Sequence, residues 1–170
     1  MIEIKKLVKR DAEDYKNIRL EALYNDPDSF GTTYDEEIRT TIDKFRERIP
    51  VDSNNFILGC YRDNDLVGIV AFEQESRRKV IHKAHIRSMY VRSRYRNKGI
   101  GKLLLNELIE RVKVIEEIEI LLLDVVTNNL IAKQLYLSFG FKTYGIEKMA
   151  YKLNHQYFDL EYMSLRIKPL

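Results

Sequence analysis

The amino-terminal part of the chain shows one strand-like and two helix-like patterns of apolar residues. Residues 2–7 alternate apolar and polar side chains, which is typical of a short strand. Asp11 follows as a candidate N-cap for an amphipathic helix that ends near residue 25. A second amphipathic stretch, residues 34–49, is closed by Pro50. These patterns predict a strand and then two helices joined by a loop.

The middle of the chain contains two apolar runs separated by a polar turn. Residues 56–61 and 66–72 flank the sequence Arg62-Asp63-Asn64-Asp65, which has the length of a hairpin turn. We therefore expect an antiparallel pair of strands, followed by a third strand over about residues 83–91.

After residue 99 the apolar residues recur every four positions. This spacing predicts a helix that packs on a sheet and runs to about Val114. Residues 120–126 are almost continuously apolar, as expected for a strand covered on both faces. Strand, helix and buried strand in this order predict a right-handed parallel crossover.

The carboxy-terminal part predicts one more helix and two closing strands. Asn128 and Asn129 are candidate N-caps, and Gly140 suits the position just after the end of that helix. Residues 141–152 and 157–167 are expected to be strands. Because no repeat or linker interrupts the pattern, we predict a single domain over residues 1–170.

Composition and charge narrow the class of protein. The chain of 170 residues is 45% hydrophobic and 32% charged, as in an ordinary globular domain. Its net charge is only +3, so a general attraction to nucleic acid or to a membrane is not expected. Any site for an anion must therefore be local.

Cysteine, histidine and the amino-terminal residues predict a cytoplasmic protein without a metal. Cys60 is the single cysteine, and the three histidines lack the spacing of a zinc site. Glu3, Lys5 and Lys6 interrupt the first residues, which therefore form no apolar signal core, and nowhere do about 18 apolar residues run together. We expect neither export nor a membrane span.

The segment between the third strand and the next helix has the features of a phosphate site. Gly99 and Gly101 allow successive backbone N–H groups to converge on an anion at the start of a helix. Arg96, Lys98 and Lys102 would add charge-assisted hydrogen bonds. No third glycine completes G-x-G-x-x-G, and Lys102 is not followed by Ser or Thr, so neither a Rossmann site nor a P-loop is indicated. The alternative is a solvated loop whose glycines only permit close helix packing.

Two motifs resemble those of the GNAT superfamily of acetyl-CoA-dependent N-acetyltransferases. Arg96-Asn97-Lys98-Gly99-Ile100-Gly101 is similar to the signature (Q/R)-x-x-G-x-(G/A) that follows the fourth strand in that family. Further along, Asn129-x-x-Ala132-x-x-Leu135-Tyr136-x-x-x-Gly140-Phe141 matches the distal pattern. The resemblance implies a mixed α/β fold. In it, a twisted and mostly antiparallel sheet of about six to seven strands carries about four helices, with strands 4 and 5 parallel and splayed.

The resemblance also implies how acetyl-CoA binds. The pantetheine arm would pair with the edge of the bulged fourth strand at Met89, Tyr90 and Val91, and the N–H near Val91 would face the thioester oxygen. Asn129 is carried over as a further contact. The pyrophosphate would lie on Arg96, Asn97, Lys98, Gly99, Ile100, Gly101 and Lys102.

Three residues are candidates for proton transfer. His85 aligns with a fourth-strand position where some family members have a catalytic carboxylate, and Glu73 is a rival base. An ordinary strand histidine and a surface charge are the alternatives for these two residues. The resemblance gives Tyr136 the role of general acid toward the departing thiolate and also makes it a cofactor contact, whereas its apolar helical face would equally suit a core residue.

The acceptor is less defined than the donor. The resemblance places Phe30, Tyr34 and Glu147 around the acceptor pocket, and a small amine or amino acid is favoured over a protein N-terminus. The amine would attack directly in a ternary complex, because Cys60, in the second strand of the predicted sheet, is away from both motifs.

Three further readings stay open. The fold and cofactor could be kept in a catalytically silent acyl-CoA-binding module. The basic run that includes Arg92 and Arg94 could be a nucleic-acid patch, which the near-neutral overall charge disfavours. A homodimer through the closing strands is also left open.

Overall fold

The computed structural model of the protein describes residues 1–52 and 54–169. In this part of the chain seven strands form one sheet: β1 (Ile2–Lys6), β2 (Asn55–Arg62), β3 (Asp65–Gln74), β4 (Lys83–Val91), β5 (Ile120–Val126), β6 (Lys142–Leu153) and β7 (Gln156–Arg166). Five α-helices accompany them: α1 (Ala12–Asn25), α2 (Tyr34–Ile38), α3 (Ile42–Arg48), α4 (Ile100–Lys113) and α5 (Leu130–Ser138). Short 3-10 turns cover Lys9–Asp11, Pro27–Ser29 and Ser93–Tyr95.

The sheet is antiparallel except at its centre. The strands follow the order β1-β2-β3-β4-β5-β7-β6, and β4 and β5 form the parallel pair. This pairing runs only from Lys83 with Ile120 to His85 with Leu122. Both strands continue beyond it without pairing to each other, so residues 86–91 and 123–126 border an opening in the sheet. The predicted mixed sheet with splayed, parallel strands 4 and 5 is confirmed.

A bulge at Ser88 interrupts β4. Ser88 has a left-handed backbone with φ of 54°. Between Ile69 and Ala71 of β3 the partner positions on β4 step from Tyr90 to Arg87, so β4 contains an extra residue. The bulge bends the strand at the point where β5 has separated from it.

The bulge also exchanges the faces of β4. Before it, Ala84 and Ile86 belong to the core under α4. After it, Met89 and Val91 pack against that core, whereas Tyr90 joins the core on the α1 side. Met89 and Val91 therefore lie on the α4 side of the opening. In a strand without the bulge they would face the α1 side.

Two apolar cores lie on opposite faces of the sheet. Leu104 and Leu108 of α4 and Tyr136 of α5 belong to the first. Ile18 of α1 and Phe45 of α3 belong to the second. The opening between β4 and β5 thus has α4 and α5 on one side and the amino-terminal helices on the other.

The hairpin expected between β2 and β3 is confirmed. Asp63 and Asn64 form its two-residue turn with φ of 52° and 72°. Two left-handed residues give a turn whose twist matches that of the strands, and Asn and Asp tolerate this conformation well.

The prediction of one helix over residues 34–49 is wrong, because the structure has two. Thr33 and Glu36 form a capping box on α2, and the Thr41 hydroxyl accepts from the Lys44 N–H at 3.2 Å to begin α3. Threonine competes for backbone hydrogen bonds inside a helix and favours N-caps, which explains the break. The described helices therefore number five rather than about four, and none of them is long and apolar enough to cross a membrane.

Two smaller expectations also need correction. Asp11 occupies the N-cap position of α1, but its carboxylate accepts from the Val8 N–H at 2.7 Å and not from the helix.

β5 was expected to be covered on both faces, but it is covered on one face only, since Leu122 is half-buried and Asp124 is exposed. The uncovered face follows from the separation of β4 and β5, which no periodicity in residues 120–126 could indicate.

Candidate active site

The edge of β4 presents backbone hydrogen-bonding groups to the opening. The Arg92 N–H donates to the Val67 oxygen at 2.9 Å, so by the alternation of an antiparallel ladder the N–H and C=O of Val91 point away from β3. The Val91 oxygen accepts from Arg96 Nε at 2.9 Å. The Val91 N–H points toward the gap, because the pairing of β4 with β5 has ended at His85. An extended ligand could pair with this edge as another strand would.

The loop after β4 exposes a series of amide N–H groups. Asn97 and Gly99 are left-handed, with φ of 59° and 78°. The N–H groups of residues 97–102 donate to no other described group, and the first bond of the following helix runs from the Leu103 N–H to the Gly99 oxygen at 3.0 Å. These amides and the positive end of the α4 dipole form a site suited to an anion.

Gly101 joins this loop to the edge of β4 and to α5. A Cβ atom at Gly101 would lie 3.4 Å from Leu135 Cδ2 and 3.5 Å from Met89 Cε. Three segments that are distant in sequence therefore meet at one glycine. The structure brings together the two stretches that the motifs singled out.

The cations of the loop are held more tightly than the sequence indicates. Arg96 forms an ion pair with Asp26 through Nη2 and lies 5.3 Å from the centre of the Tyr90 ring. Lys98 Nζ donates to the Arg94 oxygen at 3.0 Å. Lys102 is exposed. In this arrangement the backbone amides face the anion site, while Arg96 ties the end of β4 to the end of α1.

Ion pairs also neutralise much of the basic run. Arg92 pairs with Glu21, and Arg94 Nη2 lies 3.3 Å from Asp65 Oδ2. With Arg96 also paired, Lys98 and Lys102 are the cations of the run without a carboxylate partner among the described residues. The run therefore carries less unpaired positive charge than its sequence indicates.

Tyr136 lies on α5 beneath the opening. Its side chain is buried and contacts the Phe141 ring edge-on, with centroids 5.9 Å apart. The hydroxyl has no hydrogen-bond partner among the described residues. Burial, and secondly the negative charge of Asp124, raise the pKa of Tyr136 above its ordinary value. The phenol is therefore protonated at neutral pH and free to donate.

Asn129 is engaged in a structural role. Its Oδ1 accepts from the Ala132 N–H at 3.2 Å and caps α5, and its Nδ2 lies 3.5 Å from Ser29 Oγ. The cap fixes the start of the helix that carries Tyr136, so Asn129 positions the helix whether or not it also contacts the cofactor.

The two candidate bases occupy different environments. His85 is in the last residue pair before β4 and β5 separate, and its Nε2 lies 3.0 Å from Glu75 Oε1. Glu73 Oε2 accepts from Arg87 Nε at 2.8 Å, and its side chain is 61% exposed. His85 is 23% exposed and held by a carboxylate, which is the arrangement that orients an imidazole for proton transfer. The hydrogen bond to His85 also keeps the pKa of Glu75 below its ordinary value.

The residues expected around the acceptor are only partly brought together. Phe30 lines a cavity of about 170 Å³ between residues 27–33 and 150–158. Tyr34 packs edge-on against Tyr24, with centroids 5.7 Å apart, and Glu147 accepts from the Tyr162 hydroxyl on β6 and β7. Neither Tyr34 nor Glu147 lines this cavity.

Sequence reasoning missed Asp124 and Glu75. Asp124 lies on the open face of β5, with Oδ1 4.0 Å from Arg87 Nη1. It is the one charged residue among residues 120–126, and a charge inside an apolar strand is a signal that could have identified it. Glu75 carries no comparable signal, because only the fold brings it to His85. The described residues contain no group of three or more side chains that could hold a metal ion.

Comparison with known proteins identifies the family. Residues 14–141 match the acetyltransferase (GNAT) family, and the chain belongs to it. The L-amino acid N-acetyltransferase AaaT of Escherichia coli is 30% identical over 106 residues, which are 62% of this chain and 64% of that relative. The match thus covers less than two thirds of the relative's length.

Solved structures show the same fold. An acetyltransferase of the GNAT family from Streptococcus pneumoniae superposes with a TM-score of 0.88 at 24% identity, over 99% of this chain and 100% of that one. The putative acetyltransferase yncA from Salmonella typhimurium, determined with its cofactor acetyl-CoA, has a TM-score of 0.82 at 17% identity, over 100% and 96% of the two chains.

Proposed function

We propose that this protein is an N-acetyltransferase that transfers the acetyl group of acetyl-CoA to a primary amine in a ternary complex. The observation that carries the proposal is the unpaired edge of β4 beside the exposed amides of residues 97–102. An extended polar arm that ends in phosphates matches both features at once. Membership of the family and the intact Tyr136 support the same activity.

The backbone would supply most of the contacts to the donor substrate. The amides of residues 97–102 bind the pyrophosphate, and the edge at Met89 and Val91 binds the pantetheine amides. Acetyl-CoA brings the activated acetyl thioester, whose carbonyl carbon the amine attacks. The Val91 N–H donates to the carbonyl oxygen as negative charge develops, a contribution of about 2.7–4 kcal/mol.

The amine must lose a proton before or during attack. An alkylamine with a pKa of ~10.4 is only about 0.1% neutral near pH 7.4, which is a handicap of about 4 kcal/mol. We assign proton removal to His85, directly or through water, because Glu75 orients its imidazole. Glu73 is less suited, since its carboxylate is paired with Arg87 and largely exposed.

Tyr136 would then protonate the departing thiolate. Its hydroxyl has no competing partner among the described groups, and burial keeps it protonated. A thiol with a pKa of ~8.5 is a fair leaving group unaided, so this contribution is modest.

The cellular setting and assembly belong to the proposal as well. We place the enzyme in the cytoplasm, where its single buried thiol, Cys60, stays reduced. Cys60 also takes no part in transfer, because burial raises its pKa and disfavours the nucleophilic thiolate. Homodimerisation through β6 and β7 stays a prediction.

Release of the CoA thiol tests the activity. Purified protein is given acetyl-CoA with amino acids, polyamines, aminoglycosides or peptides bearing free N-termini, and release is compared with acceptor-free reactions. We expect acceptor-dependent release and a mass gain of one acetyl group on the acceptor. Tight CoA binding without release on any acceptor would instead establish the catalytically silent module.

A further inference from the structure

Arg19 on α1 is a buried cation for which the described residues supply no hydrogen-bond acceptor. The residue is only 8% exposed. Its Nη1 is fully buried and has no hydrogen-bond partner in the part of the chain that the structure describes, where no carboxylate lies within ion-pairing distance of the guanidinium either. Buried arginines are ordinarily paired, because removing the charge from water is costly. The amino-terminal helices therefore retain a cation that their own side chains do not satisfy.

The charged groups nearby do not compensate for Arg19. Glu37 is buried, but its Oε1 binds Arg48 Nη1 at 2.6 Å. Tyr15, whose pKa Arg19, Arg48 and Glu37 all influence, is neutral at physiological pH, because burial raises that pKa. Two arginines and one glutamate leave this cluster with one net positive charge. An anionic group from outside the protein would complete it.

The position of Arg19 connects it to the acceptor cavity. Its guanidinium carbon lies 5.2 Å from the centre of the Phe30 ring. The same ring lines the cavity of about 170 Å³ and contacts Tyr90 of β4, with centroids 6.5 Å apart. A ligand in this cavity would thus have an unpaired guanidinium behind its Phe30 wall and the bulged strand beside it.

The cavity is itself lined by one charge of each sign, Asp28 on the side of Phe30 and Lys152 on the side of Tyr151. Burial is the main cause of the raised pKa of Tyr151; Asp124 raises it further, Arg87 opposes this, and Glu147 has the smallest effect. Beyond this lining, the Arg19 guanidinium lies behind Phe30 and the Asp124 carboxylate acts on Tyr151, so charges of both signs surround the cavity. A zwitterion fits this arrangement better than a molecule with only positive charge.

We propose that Arg19 binds the carboxylate of the acceptor, and that the acceptor is a free amino acid. The proposal rests on the acetyltransferase function given above. A guanidinium can hold a carboxylate through two parallel hydrogen bonds, and such a pair would neutralise Arg19 and orient the amine away from α1. Polyamines, aminoglycosides and the N-terminus of a protein lack this carboxylate next to the amine.

Paired substrates isolate the contribution of Arg19. One amino acid is compared with its carboxamide, which keeps the amine and side chain but loses the charge, for the wild type and Arg19→Met. We expect the wild type to favour the acid by about 10- to 100-fold in kcat/KM, the range of one charge-assisted hydrogen bond to a buried ion. In Arg19→Met the ratio should fall to about 1. The lower kcat/KM for the acid should come from a higher KM. The KM values for the carboxamide and for acetyl-CoA should not change.

Arg48→Met is the matched control. It removes a neighbouring guanidinium that already has Glu37 as its partner, so we expect lower stability and an unchanged ratio of acid to carboxamide. Arg19→Met should unfold at the same temperature as the wild type or higher, because it removes an uncompensated buried charge. A ratio that is equal in the wild type and Arg19→Met overturns the proposal.

A measurement on the wild type alone keeps the proposal testable if Arg19→Met does not fold. The deaminated carboxylic acid with the same side chain should compete with the amino acid, whereas the decarboxylated amine should compete at least tenfold less well. The reverse order refutes the role of Arg19. Turnover of carboxamides and polyamines but not of free amino acids would refute it and leave the acetyltransferase function intact, whereas absence of turnover on every amine would refute that function itself.

Discussion

At the scale of single residues, Tyr136 is the clearest test of the proposed chemistry. Tyr136→Phe removes only a hydroxyl that has no partner among the described residues, so the Phe141 contact and the stability should be retained. We expect kcat to fall about 10-fold, less than the 10²–10⁴-fold typical of general acids, because the thiolate leaves readily. The KM for acetyl-CoA should stay near its wild-type value. Steady-state kinetics measure both quantities, and wild-type kcat in the variant would exclude the proton transfer.

The residues that sequence reasoning missed have a common physical cause. Glu75 is ten residues from His85 along the chain, and the antiparallel pairing of β3 with β4 brings the two together. Arg19 reads in the sequence as an ordinary charged position of an amphipathic helix, and only its burial reveals the missing partner. Local patterns specify elements, whereas these contacts depend on how separate elements pack.

At the scale of elements, the start of α4 depends on a glycine with a left-handed backbone. Gly99 has φ of 78°, and a Cβ atom there would meet nothing within 4 Å. Gly99→Ala is therefore strained by backbone conformation alone, at about 1–2 kcal/mol. Relief of that strain would turn the amides of residues 97–102 away from the anion. We expect the KM for acetyl-CoA to rise severalfold, with little change in the KM for the acceptor.

Gly140→Ala supplies the control for the change in α4. Gly140 is also left-handed, with φ of 90°, and it follows α5 on the far side of that helix from Asn129. This substitution should lower the free energy of unfolding, measured by chemical denaturation, by a similar amount. The KM for acetyl-CoA should not change. Equal effects of the two variants on this KM would mean that stability, and not the amide loop, governs cofactor binding.

Element types were more predictable than the irregularities that make the site. The strand and helix patterns follow from periodicity, and the turn at Asp63 and Asn64 follows from residue preference. The bulge at Ser88 has no such signature, since serine has no special preference for a left-handed backbone. It was expected only because of the family resemblance. The break in residues 34–49 could have been read from Thr41 as an N-cap.

At the scale of the whole molecule, the sheet consists of two parts joined at its centre by little pairing. β1 to β4 and β5 to β7 each form an antiparallel set, and the parallel pairs from Lys83 to His85 link them together with the His82 oxygen, which accepts from the N–H groups of Glu119 and Ile120. A ligand that lies along the open edge of β4 would contact both parts through α4 and α5. Binding should therefore stabilise the whole fold as well as the loop.

Amide hydrogen exchange measures this coupling directly. Without ligand, the Val91 N–H points toward the gap and the N–H groups of residues 97–102 donate to no other described group, so they should exchange quickly. Coenzyme A should slow exchange in both segments, because one occupies the pantetheine edge and the other the pyrophosphate loop. Exchange in the β2–β3 hairpin, which is remote from the ligand, should slow only because the ligand stabilises the whole fold. That stabilisation is about 2.7 kcal/mol at a ligand concentration 100 times Kd. Protection of the loop without protection of Val91 would show that coenzyme A binds by its phosphates alone and that the open edge of β4 has another purpose.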